Sequence, residues 1–111
     1  DLQKQFHCCM PLFIALGDKV RLSIVELLSE DALKNGSTRG TIDFEGCAMN
    51  VNEITRRTSL SRPAISHHLK ILKDAGLVGV RQDGTANYYY LTLRDSTRSL
   101  MELGYRLEEF M

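Results

Sequence analysis

Residues 61–76 constrain this chain more than any other stretch, because a helix start signal, a buried stripe and a stop signal follow one another there. Ser61 can accept a backbone N–H at a helix N-terminus. Pro63 falls in the first turn, where its missing N–H is no loss. Ile65, Leu69 and Leu72 then recur at helical spacing, and Gly76 stands where a left-handed residue closes a helix. Upstream, Asn52 can cap a shorter helix running through Thr58, and Thr58-Ser59-Leu60 makes a tight turn. Two short helices joined by a turn, a helix-turn-helix over 52–74, are predicted.

The rest of the chain must supply a core for that pair. At 111 residues and 43% hydrophobic content it is long enough for one domain and too short for two. Residues 2–16 read as a first helix with Pro11 as a kink or break. Gly17 and Asp18 give a stop and a new cap, and Val20, Ile24, Leu27 and Leu28 form the stripe of a second helix to about Glu30. Asn35, Gly36, Ser37, Thr38 and Gly40 then predict an exposed excursion up to Gly46, with weak strand alternation over 41–45. Residues 77–82 and 87–93 are β-rich and meet at Asp83-Gly84, a hairpin signal. Asp95 can cap a last helix bearing Leu100, Leu103, Leu107 and Met111, a stripe suited to burial against a partner. The fold class is mainly α with a small β-hairpin.

Function classes narrow by exclusion. The chain offers no phosphate-cradling glycine loop, no nucleophile elbow and no acid–base pair in a recognisable setting, so an enzyme is not expected. Its apolar runs fall short of the roughly 20 residues a membrane-spanning helix needs. The first residues carry no export signal, so a cytoplasmic setting is expected. Three cysteines cannot all pair within one chain, and they read as thiols or ligands.

The net charge of zero speaks against a polyanion partner until its distribution is followed. Between residues 52 and 81, Arg56, Arg57, Arg62, Lys70, Lys73 and Arg81 outweigh Glu53 and Asp74, and both flanks are net acidic. A basic centre between acidic flanks is the footprint of a nucleic-acid face, although an ordinary solvated helix surface has the same composition. A helix-turn-helix lays the start of its second helix in the major groove. Ser61, Arg62, Ser66, His67 and Lys70 are therefore the candidate contacts: Arg62 for a guanine edge, Ser66 and His67 for bases or phosphates, Lys70 for phosphate. Ser59 in the turn and Arg81 on the hairpin extend the face, with the loop from Gln82 to Asn87 as a wing along an adjacent minor groove. His68 reads equally as a packed side chain, and Tyr89 reads as packing.

Four ordered blocks then resemble one family. They are residues 15–22 (Ala15 to Leu22), Val51-Asn52-Glu53-Ile54, residues 60–72 (Leu60 to Leu72) and Ala75-Gly76-Leu77-Val78, and together they resemble the ArsR/SmtB family of metal- and redox-sensing repressors. The resemblance implies a winged helix-turn-helix over the single domain 1–111, dimerising through its first and last helices (1–16 and 95–111), with 77–93 as the wing and Leu100, Leu103 and Leu107 in the dimer interface. It implies double-stranded operator DNA with an inverted repeat as partner, and release by an inducer. A family two-cysteine motif would fall on Asn50 and Asn52, and the last helix holds no histidine, so neither common metal site is expected. Cys8, Cys9 and Cys47 remain, with His7 as a further donor. Three thiolates suit As(III), Sb(III) or another thiophilic ion. A redox or persulfide switch on the same thiols, cysteines that are simply core, and a winged helix used only for protein contacts stay open.

Overall fold

A computed structural model describes residues 1–38 and 41–111. Helix α1 (Leu2–Leu16) opens on Asp1, whose carboxylate accepts the Gln3 amide proton at 3.1 Å. It runs through Pro11 as one helix, so of the expected kink or break the break does not occur. Pro11 supplies no amide to the His7 carbonyl, and both residues lie exposed. Helix α2 (Lys19–Asn35) starts where Asp18 accepts from the Val20 and Arg21 amides at 2.8 and 3.2 Å. It continues to Asn35, past the expected end near Glu30. Ala32 is buried in the extra turn, and the Asn35 side chain donates back to Asp31 at 3.1 Å.

The excursion is a small antiparallel pair, β1 (Ser37–Thr38) with β2 (Thr41–Ile42), followed by a single tight turn at Glu45–Cys47. The expected strand over 41–45 shortens to two residues because Asp43 turns its carboxylate onto the Gly46 amide at 2.9 Å. Gly40 of the expected excursion lies outside the described residues. A strand the sequence did not suggest, β3 (Met49–Asn50), pairs with β5 (Ala86–Leu91), which also pairs with β4 (Val78–Asp83), so the order is β3-β5-β4. The β4–β5 turn uses Gly84 at φ +64, which a side chain disfavours. Opposite Tyr90, Gly79 leaves room for the ring; a Cβ there would sit 2.8 Å from its Cζ.

Helix α3 (Val51–Arg56) is capped by Asn50, not Asn52. The Asn50 side chain accepts the Glu53 amide at 2.8 Å, and the Glu53 carboxylate accepts the Asn50 amide at 3.4 Å. Asn52 has Thr55 three positions on and cannot form that reciprocal pair. The helix ends at Arg56, short of Thr58, whose hydroxyl donates to the Thr55 carbonyl at 3.3 Å and shapes the turn. Helix α4 (Arg62–Asp74) ends as expected: the Gly76 and Leu77 amides return to the Lys73 and Leu72 carbonyls, each at 3.0 Å, with Gly76 at φ +79. Helix α5 (Arg94–Glu108) begins one residue before the expected cap. Leu93 holds the cap position without a side-chain bond, and Asp95 sits inside the first turn as a negative charge near the positive helix end.

One core joins these elements, with Leu12 of α1, Ile24 of α2, Ile54 of α3, Leu69 of α4 and Leu91 of β5 in a single cluster. Helix α5 contributes nothing to that cluster and packs on α1. The Gln5 amide and the Cys9 thiol both donate to the Ser99 carbonyl, at 2.9 and 3.3 Å. Leu103 is buried.

Candidate nucleic-acid interface

Helix α4 divides cleanly. Ile65, Leu69 and Leu72 are completely buried, while Ser61, Arg62, Ser66, His67 and Lys70 are exposed along the other side. The Ser61 hydroxyl oxygen accepts the Ala64 amide at 3.4 Å, which closes the helix start and leaves the O–H free to donate outward. Arg62 is the first residue of the helix and has no ion pair among the described residues. Lys70 reaches Asp74 at 3.0 Å, but both side chains are mostly in solvent, so that pair contributes at most about 1 kcal/mol and yields readily to a phosphate. Ser59 is exposed on the turn before α4.

Arg81 is less free. Its guanidinium lies over the Tyr88 ring, 5.1 Å from the centroid, and 4.0 Å from the Asp83 carboxylate. The hairpin tip beyond it, including Gln82 and Asn87, is exposed, as a wing requires. Tyr89 packs against the core.

Three side chains join this face that were not singled out from sequence. Arg56 and Lys73 are exposed and have no ion pair among the described residues; Arg57 lies 3.7 Å from Asp31. The local charge excess already contained them. Arg21 is different, because nothing local marks it. From α2 its Nε donates to the Ala15 carbonyl at 2.7 Å and Nη2 to the Ile14 carbonyl at 3.3 Å, both at the end of α1. Its Nη1 lies 3.2 Å from His68 Nδ1 on α4. Arginine only donates, so His68 accepts at Nδ1 and its ring proton sits on Nε2. The half-buried His68 is thus the packed side chain and His67 the exposed one. Asp18 stands beside this junction. The backbone N–H of Arg21 holds its carboxyl below the ordinary value against the opposing effect of burial, and the Val20 N–H and the Arg21 charge add to the lowering.

The profile described as "Bacterial regulatory protein, arsR family" matches residues 45–80, which span α3, the turn and α4. A helix-turn-helix transcriptional regulator of Methanocaldococcus jannaschii, MJ1325, is 39% identical over 100 residues, 90% of this chain and 94% of that protein. The chain belongs to the ArsR family. It is a transcriptional regulator, not an enzyme, and its fold is the winged helix-turn-helix of ArsR regulators. The arsenical resistance operon repressor of Staphylococcus aureus is 36% identical over 76 residues, 68% of this chain and 58% of that one. Among solved structures, the homodimeric winged helix-turn-helix DNA-binding domain Mb0332 of Mycobacterium bovis, a possible ArsR-family regulator, superposes with a TM-score of 0.60 at 25% identity, covering 98% of this chain and 83% of that one.

Two further features of this ArsR chain bear on partners and signals. The expected stripe on α5 splits: Leu103 turns inward, Leu107 is half-buried and Leu100 is exposed. Met101 and Tyr105 of the same helix lie more open than Leu100, and Phe6, Met10, Phe13 and Ile14 line the outside of α1. The cysteines also divide. Cys8 is exposed, Cys9 is buried with its thiol on Ser99, and Cys47 is half-buried beyond the end of α2. Burial, then the charges of Asp31 and Asp43, push the Cys47 thiol up. Among the described residues of one chain, no three His, Cys, Asp or Glu side chains gather as a metal site. No helix among them is long and apolar enough to cross a membrane.

Proposed function

We propose that this ArsR-family protein represses transcription as a homodimer, laying α4 of each protomer into the major groove of an inverted-repeat operator. One observation carries the reading: α4 buries Ile65, Leu69 and Leu72 completely inside its own chain and turns Arg62, Ser66, His67 and Lys70 outward from a helix start. Arg62, unpaired and at the helix N-terminus, is the side chain best placed for a base edge. Ser59, Ser61 and Lys70 serve the phosphates, and Arg81, held flat by Tyr88, steadies the wing. The whole of 1–111 acts as one unit, with 52–74 as the reading element and 77–93 as the wing. The dimer forms through 1–16 and 95–111, where exposed apolar side chains cluster on α1 and α5. The homodimeric Mb0332 domain supports that assembly by likeness.

Gel-shift titrations test the reading. Arg62→Ala is expected to lower discrimination between operator and unrelated duplex by about 1–3 kcal/mol, and Lys70→Ala to reduce the salt slope by about one. Unchanged binding in both variants would remove the reading face from α4.

The release signal is proposed to act on thiols, with As(III) or Sb(III) the first ions to try. The likeness to the arsenical resistance operon repressor and the adjacency of exposed Cys8 to Cys9 support it. A three-thiolate site on Cys8, Cys9 and Cys47 requires Cys9 to leave Ser99 and Cys47 to ionise, and the sulfurs to meet by movement or across two protomers. A disulfide or persulfide switch between Cys8 or Cys9 and Cys47 faces the same rearrangement. As(III) titration of the protein–DNA complex separates these. A full response in Cys47→Ser rules out the three-thiol version, and a response to peroxide but not to As(III) favours the redox switch.

A further inference from the structure

We propose that Arg21 is a positioning residue that sets the angle of the reading helix α4 against the dimer helix α1. The inference rests on the proposal that α4 reads DNA and α1 helps to hold the dimer.

The last turn of α1 holds no basic side chain of its own, and its final carbonyls have no partner within the helix. Arg21 reaches in from α2 and takes two of them, Ile14 and Ala15, at 3.3 and 2.7 Å. A cation at the negative end of a helix is favourable by itself. That need is met by two of the three donating nitrogens. The third is directed instead to His68 Nδ1 at 3.2 Å, so one planar group bonds to the end of one helix and to the side of another. Asp18 caps the start of α2 by accepting from the Arg21 backbone amide at 3.2 Å, which fixes the point on α2 from which the Arg21 side chain leaves. His68 in turn is next to His67 on the exposed side, with ring centroids 5.8 Å apart. The strut therefore ends beside the reading face without entering it.

The geometry matters because a dimer must present two helices to half-sites about 34–36 Å apart. A small tilt of α4 relative to α1 is repeated in both protomers. Base-edge bonds tolerate such an error poorly, whereas phosphate contacts tolerate it well. Arg21 should then govern specificity more than total affinity. If it only closed the end of α1, His68 would be indifferent.

The test uses the full chain. The wild-type protein enriches duplexes from a random-sequence library, and an enriched duplex and its scrambled counterpart serve as probes. Arg21→Gln and His68→Leu are each expected to weaken binding to the enriched duplex by about tenfold while leaving the scrambled duplex and the sedimentation of the dimer unchanged. The double variant should be no weaker than the worse single one, since either change breaks the same strut. His68→Asn, whose amide oxygen can stand near the position of Nδ1, should restore most of the discrimination. Additive losses, equal losses on both probes, or no rescue by His68→Asn overturn the strut. If Arg21→Gln does not melt cooperatively, the two His68 variants decide. Enrichment followed by wild-type behaviour in every variant rejects the strut alone, and failure of the wild type to enrich any duplex rejects the DNA reading and the strut with it.

Discussion

Helices α4 and α5 are similar in length and both amphipathic, yet they meet the rest of the world differently. α4 hides Ile65, Leu69 and Leu72 within its own chain and shows solvent the cations Arg62, Lys70 and Lys73, the hydroxyls of Ser61 and Ser66 and the imidazole of His67. α5 hides Leu103 against its own chain and still shows Leu100, Met101 and Tyr105. A helix whose apolar need is met internally is free to use its outer side for a hydrated polyanion. One that leaves apolar side chains outside, as α1 also does with Phe6, Met10, Phe13 and Ile14, needs a second protein surface. The outward side of each helix, rather than its amphipathicity, names its partner.

The contrast can be broken most severely on α5. Met101→Asp together with Tyr105→Asp places charges where the proposed dimer buries apolar side chains. Burying an unpaired charge costs several kcal/mol, so sedimentation should show the dimer constant weakened by at least about a thousandfold, with a folded monomer left behind. A dimer of unchanged strength would place the interface elsewhere. On α4 the corresponding change is internal. Leu69→Ala, at a completely buried position, should lower unfolding stability by about 2–5 kcal/mol in urea titration, before any question of DNA arises. A loss near zero would mean that the inner side of α4 is not sealed.

The smallest effect lies away from both helices and sharpens the contrast by touching neither. Burial and the nearby carboxylates favour the neutral Cys47 thiol in the folded chain. The unfolded chain then releases this proton at lower pH than the folded one does. The contribution is intact below the ordinary thiol value and is lost as pH rises through it toward the raised value. Stability measured across the alkaline range should fall less steeply in Cys47→Ala, with dimerisation and DNA affinity at neutral pH unchanged. An identical slope would show that Cys47 is not the group responsible.

Much of this architecture was legible because the signals are local. Ser61, Pro63, Gly76 and Gly84 act through backbone groups a few positions away, so the start and end of α4 and the turn of the hairpin follow from neighbours in the chain. The exposed face of α4 follows from the same periodicity that buries its other side. Local reading faltered where two local solutions compete, as with Asn50 and Asn52, where only the reciprocal bond to Glu53 selects the cap. It also missed β3, because two residues carry no pattern of their own and pair only once β5 is beside them.

By itself, then, the sequence determined the start and stop of α4, the helix-turn-helix and its cationic side, because those depend on spacing along the chain. Tertiary structure alone decided which leucine of α5 turns inward, that three cysteines lie in different surroundings, and that Arg21 meets His68. Those two residues are 47 positions apart, and only the packing of α1, α2 and α4 on a shared core brings a guanidinium within 3.2 Å of an imidazole nitrogen.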